Sequence, residues 1–168
     1  MDTGFLAFAS FANDASYGST AWINTANAQT NNGSYSDNNG SGTTYYLRGT
    51  GLVGVPPYCS SGLITGVEIR YEGVGAVSEN SVRAVIGGSV IGNNKSQGTS
   101  WAVPLDTFFN RGGAGDLWGI DDHSLHGWRF TSSDSGVGVA ASGGGSYLAQ
   151  IDVIEMKLYY EPSLFYMF

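Results

Sequence analysis

Polar and apolar residues alternate most clearly across residues 64–72. There Val67, Ile69 and Tyr71 take one side and Glu68, Arg70 and Glu72 the other. A period of two predicts a strand with one buried and one wet face, as in an antiparallel sheet. The next run, 81–86, sets Val82, Ala84 and Ile86 on one side. Gly87-Gly88 and Ser89-Val90-Ile91 follow at once. Two glycines between strand-like runs predict a tight hairpin, because a type I′ turn needs positive φ twice. Further strands are predicted at 5–11, 43–48, 127–131, 137–141 and 147–160. In the last of these Ile151 and Val153 share one parity, while Ile154, Met156, Leu158 and Tyr160 share the other. Either a bulge near Val153–Ile154 or burial of both faces over the first half accounts for the slip. Helix is expected only in short pieces, a turn over 106–110 and one Asp-capped turn over 121–126. Segments 24–42 and 92–100 read as loops. The sum is an all-β fold, a two-sheet antiparallel sandwich of jelly-roll-like form. It has about eight or nine strands in one domain over 1–162.

Composition sharpens this. Gly supplies 26 of 168 residues, only 12% are charged, and 42% are hydrophobic. A disordered chain combines low hydrophobicity with high net charge, so this one is expected to fold. Its surface is built from Ser, Thr, Asn and Gly rather than the Glu, Lys and Arg of surface helices. The net charge is −7. The seven Lys and Arg are scattered singly, which argues against a nucleic-acid partner. No apolar run approaches 18 residues, so no membrane insertion is expected. The apolar stretch 5–9 is short and lacks a basic flank, so it does not read as a signal peptide. Cys59 is the lone cysteine, leaving no internal disulfide, and it reads as a packed or loop residue. The sequons at Asn32, Asn39 and Asn94 read as by-products of composition.

Several motifs invite chemistry. Gly49-Thr50-Gly51-Leu52-Val53-Gly54 matches the dinucleotide fingerprint, but Pro56-Pro57 follows where a phosphate-binding helix would have to begin. A glycine-lined turn is the expectation. His123 and His126 lie in 121–126 without a zinc spacing, which leaves a weak calcium reading on Asp116, Asp121 and Asp122. Glu68 and Glu72 share a strand face about 13 Å apart, with Arg70 between them. That is too wide for a carboxylate pair acting on a glycoside, and a solvated, salt-bridged surface is expected. No catalytic residue, resident metal or cofactor emerges. Trp22 and Trp128 read as core. Trp101, Trp118, Tyr35 and Tyr58 fall in loop contexts, where aromatic rings stack on glycans. Residues 163–168 form an apolar tail in which Leu164, Phe165, Tyr166, Met167 and Phe168 are candidates for an interface, docked on a neighbour or folded back.

One pattern spans residues 5–160. It includes Phe11-Ala12-Asn13-Asp14, Ala21-Trp22-Ile23-Asn24, Gly33-Ser34-Tyr35 and Tyr45-Tyr46-Leu47. It continues through Ile64-Thr65-Gly66-Val67-Glu68-Ile69 and Gly87-Gly88-Ser89-Val90-Ile91-Gly92-Asn93-Asn94-Lys95. It closes with Gly112-Gly113-Ala114-Gly115-Asp116-Leu117-Trp118-Gly119, Ile151-Asp152-Val153-Ile154 and Leu158-Tyr159-Tyr160. The pattern resembles small β-sandwich structural and tail proteins of tailed-bacteriophage virions. Thr25 stands where that family usually has Pro. The resemblance implies a non-enzymatic, multi-copy, homo-oligomeric surface component. Its place would be a head decoration or spike, or a tail-fibre or baseplate accessory, assembled in the host cytoplasm onto other virion proteins. It transfers no catalytic residue. The alternative is a carbohydrate-binding module that contacts host surface glycans.

Overall fold

A computed structural model describes residues 1–38, 40–101, 107–120, 127–143 and 148–162, with backbone only for Gly127 and Trp128. The described chain is all-β with little helix. Its strands are β1 (Leu6–Asp14), β2 (Ser36–Asn38), β3 (Gly42–Thr43), β4 (Tyr46–Leu52), β5 (Leu63–Val74), β6 (Ser78–Ile86), β7 (Ser89–Ile91), β8 (Phe108–Gly113), β9 (Gly136–Gly143) and β10 (Ala149–Glu161). The helical pieces are single turns, a 3₁₀ turn at Thr25–Ala28, α1 (Pro57–Ser60) and α2 (Gly127–Phe130).

The ladders are antiparallel and run β7-β6-β9-β4-β1-β10-β5-β8, with β2 added on β10 and β3 on β9. The two expected sheets are therefore joined, and β1 belongs to both halves. Its Leu6 and Ala7 pair with Met156 and Glu155 of β10. From Phe8 onward it pairs with β4 instead. The sheet curls there, so the buried faces of both halves line one core. Val82 and Ala84 of β6 and Val137 and Val139 of β9 come from one half, and Val67, Ile69 and Tyr71 of β5 and Ile154, Met156 and Leu158 of β10 from the other. Burying an aliphatic side chain of this size is worth about 1.5–3 kcal/mol. The curled sheet is thus held mainly by this shared interior.

Both strands predicted over 64–72 and 81–86 form and extend further, with Val67, Ile69, Tyr71, Val82, Ala84 and Ile86 buried as expected, but Glu72, Ser81 and Val85 are buried too, so the wet faces are partly covered. Gly87 and Gly88 take φ of 59° and 76° between paired Ile86 and Ser89, as the hairpin requires. The bulge in β10 lies one residue earlier than the phase slip suggests. Register shifts between Ile151 and Val153, leaving Asp152 as the extra residue. Ile151 through Ile154 are all buried, so both expected consequences of the slip occur together.

Three expectations are corrected. The turn expected over 106–110 is replaced, in its described part, by β8, which exists because Phe108 to Gly113 pair with Glu72 to Val67 of β5. The strand expected over 127–131 is instead the turn α2, since a short apolar run carries no decisive period. The loop expected over 24–42 contains the 3₁₀ turn, β2 and β3. The turn expected over 121–126 and the apolar tail 163–168 lie outside the described residues.

Candidate functional site

The Gly-Gly-Ala-Gly-Asp-Leu-Trp-Gly stretch begins with the last two residues of β8 and folds over Val67 of β5, where the β5–β8 pairing ends. Asp116 Oδ1 accepts the Trp118 backbone N–H at 3.0 Å. This short-range cap helps fix Trp118 at φ 57°, a left-handed conformation uncommon for a bulky residue. The indole is fully buried, and its Nε1–H donates to the Val67 carbonyl at 2.9 Å. The Val67 N–H in turn donates to the Asp116 carbonyl at 2.9 Å. Both backbone groups of Val67 are thereby served by the motif. Gly112, at φ 81°, is required here, since a Cβ would lie 2.5 Å from the indole nitrogen and 2.2 Å from the Val67 oxygen. Lys95 closes the outside by pairing with Asp116 at 2.7 Å.

A buried polar cluster sits where β5, β6 and β8 approach the 97–101 segment. Arg111 Nε and Nη2 donate to the Glu79 carboxylate at 2.9–3.0 Å. Tyr71 Oη donates to the same carboxylate at 2.5 Å, and the Gln97 N–H adds a bond at 2.6 Å. Trp101 Nε1 donates to Tyr71 Oη at 3.3 Å, and Arg111 Nη2 donates to Thr99 Oγ1 at 2.8 Å. Burial, reinforced by the Glu79 charge, pushes the Tyr71 hydroxyl far above its ordinary range. The cluster is saturated and closed to solvent, so its chemistry is spent on architecture. Nothing in the sequence pairs Glu79 with Arg111, which lie 32 positions apart and meet only through the β5–β8 ladder and the curl.

The remaining candidates separate in the same way. Trp101 and Trp118 are both fully buried, which corrects their reading as glycan-stacking loop aromatics, because the loops carrying them fold inward. Tyr58 is 45% exposed and tilts against Tyr160, while Tyr35 is half-buried beside the Asn27 side chain. They form no shared platform with the two tryptophans. Trp22 is core, as expected. Glu68 and Glu72 part company. Glu68 binds Lys157 at 2.9 Å and accepts from Tyr159 Oη at 2.7 Å. Glu72 is fully buried and accepts from Asn31, and Arg70 pairs with Glu155 rather than with either. The expected solvated surface between them is therefore corrected. Burial of Glu72 follows from coverage by the loop containing Asn31, which the strand pattern does not register.

Asp116 is engaged by Lys95 and Trp118, and Asp121 and Asp122 lie outside the described residues. Among the described residues no cluster of three or more His, Cys, Asp or Glu side chains forms a metal-binding group. The Gly49–Gly54 run sits mostly in β4, and the helical turn that follows begins only at Pro57 and lasts four residues. It offers no helix end to a pyrophosphate.

Asp152, the β10 bulge residue, supplies a carboxylate that sequence reasoning left unassigned. It is buried and accepts the backbone N–H groups of Asn32 at 3.2 Å and Gly33 at 2.9 Å, pinning the loop before β2. The only available signal was the slip in parity. Cys59 is buried, and burial pushes its thiol from an ordinary value of 9.0 up to about 11. Unfolded chains lose that proton near pH 9 and folded ones near 11, so this group lowers stability as pH rises through that interval. The expected result is that a thiol reagent at pH 8 leaves Cys59 unmodified in native protein and labels it fully in denaturant. Labelling at equal rates contradicts the burial.

Two solvent-facing hollows are formed by described residues. One, of about 270 Å³, is lined by Ser16, Tyr17, Tyr46, Arg83 and Val90. The other, of about 260 Å³, is lined by Ile86, Gly87, Arg129, Ser132 and Asp134. No family model, curated protein or solved structure matches the chain.

Proposed function

We propose that the chain is a non-enzymatic structural component of a tailed-phage virion, carried in multiple copies on the particle surface and held there by protein–protein contacts. The observation that supports this reading is the use made of the residues that resemble the virion family. Asp116, Trp118 and Gly112 close β5. Asp152 pins a loop, and Gly87-Gly88 makes a hairpin. Each builds the scaffold. A chain whose signature residues are architectural suits a part selected for shape and attachment. The alternative, a glycan-binding module using Trp101, Trp118, Tyr35 and Tyr58, loses its two largest rings to the core.

Attachment is assigned to the apolar residues 164–168, whose aromatic and Met content suits an interface core. The expected result is that the whole chain self-associates or binds particles lacking it, and that deleting 163–168 abolishes this while leaving the thermal transition intact. Analytical ultracentrifugation and co-sedimentation with such particles measure both. A strict monomer that fails to bind particles with the tail present contradicts the reading.

A further inference from the structure

Arg83 differs from the five cations that described carboxylates hold in ion pairs. Five basic side chains are in ion pairs, namely Arg48 with Asp14, Arg70 with Glu155, Lys95 with Asp116, Arg111 with Glu79 and Lys157 with Glu68. Arg83 makes no ion pair with any described carboxylate. It gives one Nη1 hydrogen bond to the Gly92 carbonyl at 2.9 Å and lines the hollow with Ser16, Tyr17, Tyr46 and Val90. In a protein of net charge −7, a half-exposed guanidinium without an acid partner is a conspicuous feature.

The surroundings of Arg83 are held in place. Tyr17 stacks on Tyr46, with ring centroids 4.9 Å apart and planes 26° from parallel. Tyr17 Oη donates to Asn80 Oδ1, and Tyr46 Oη hydrogen-bonds Ser81 Oγ at 2.7 Å. The β4–β9–β6 register sets Gly138 between Arg48 and Arg83. A Cβ at Gly138 would lie 3.0 Å from the Tyr46 ring, tighter than an ordinary contact, so a side chain there would push against that ring. Asp14, the acid whose field reaches Tyr46, is occupied by Arg48 and by the Ser16 N–H. The hollow therefore combines a pre-set aromatic wall, an apolar contact from Val90 and a guanidinium able to accept an anion.

We propose that this hollow binds a single carboxylated sugar ring of the hexuronic acid type. A guanidinium matches a planar carboxylate with two parallel N–H donors. The Tyr17 ring, backed by the buried Tyr46 ring, and Val90 suit the apolar C–H face of a pyranose. The Ser16 hydroxyl keeps lone pairs able to accept from a sugar hydroxyl. The size agrees, since about 270 Å³ lies just under the roughly 300–1,000 Å³ of sites for larger ligands. A phosphate would leave the aromatic wall unused and bring more charge than one guanidinium offsets. The site is independent of the virion reading and would serve a surface decoration or a free protein alike.

The test is a titration of the ¹⁵N-labelled full chain, followed by backbone amide shifts, with methyl glucuronide, its neutral counterpart methyl glucoside, and acetate as separate probes. Saturable shifts at Tyr17, Arg83 and Val90 are expected with the glucuronide alone, with Kd on the order of 1 mM. Arg83→Gln weakens binding at least about tenfold. Arg83→Lys restores part of it, and Tyr17→Leu weakens it while Arg83 is intact. The spectra of the free variants report whether each has folded. Equal response to the glucoside or to acetate overturns the proposal. So does retained affinity in Arg83→Gln, or the absence of a saturable shift around the hollow.

Discussion

Replacing Arg111 with Met is expected to cost about 3–5 kcal/mol, because removing one partner of a buried pair strands the other charge. Glu79 has nowhere to turn for a second cation. Its carboxylate is fully enclosed, and its remaining donors, Tyr71 Oη and the Gln97 N–H, are neutral. The loss is thus mainly the cost of a lone buried anion rather than of a surface-type ion pair, which is typically worth under about 1 kcal/mol. This distinction yields a second result. Glu79→Gln in the Arg111→Met background removes the stranded charge but keeps an oxygen for one of the neutral donors, so it recovers a substantial part of the loss. Urea unfolding of the two single variants and the double variant measures this directly. Simple additivity of the two single losses would show that the charges do not depend on one another.

Trp118→Ala is expected to cost a similar amount, about 3–5 kcal/mol, from the cavity left by a fully buried indole. Trp118→Phe separates packing from hydrogen bonding. It keeps most of the ring but removes the donor to the Val67 carbonyl, and an unmet buried acceptor costs about 1–3 kcal/mol. Because Asp116 serves the Val67 N–H from the same motif, the loss should also appear locally. Hydrogen exchange at the Val67 amide should accelerate in both variants by more than the global change in stability accounts for. Unchanged local protection would mean that the motif does not hold β5 at Val67.

These two sites also mark what could be read from the residues. The β5 alternation and the Gly87-Gly88 hairpin were legible because each is a local rule, a period of two and a pair of positive φ angles. Even the parity slip in β10 located its bulge to within a residue, although not the task of Asp152. Strand β8 was not legible, since the polar residues around Phe108 and Phe109 carry no period and the strand exists through its pairing with β5. Trp101 looked like a loop aromatic because a polar loop precedes it, and Trp118 because it stands in Asp116-Leu117-Trp118-Gly119. Their burial is decided by which way the loops fold, a tertiary outcome. Glu79, between Ser78 and Asn80, carries no local sign of burial, and its partner Arg111 comes from a distant strand. The hollow at Arg83 was hidden for a related reason. Tyr17, Tyr46 and Arg83 belong to three separate segments, brought together by the β4–β9–β6 register and by the contacts of Tyr17 with Tyr46 and Asn80.

The proposed virion role is tested most directly by a reconstruction of any phage particle whose genome carries this gene, backed by mass spectrometry of the purified virions. The expected result is the curled sheet in symmetric surface copies, with residues 163–168 at a protein–protein contact. Purified, infectious virions that lack the chain, with all of it recovered as free protein from the infected cell, would contradict it.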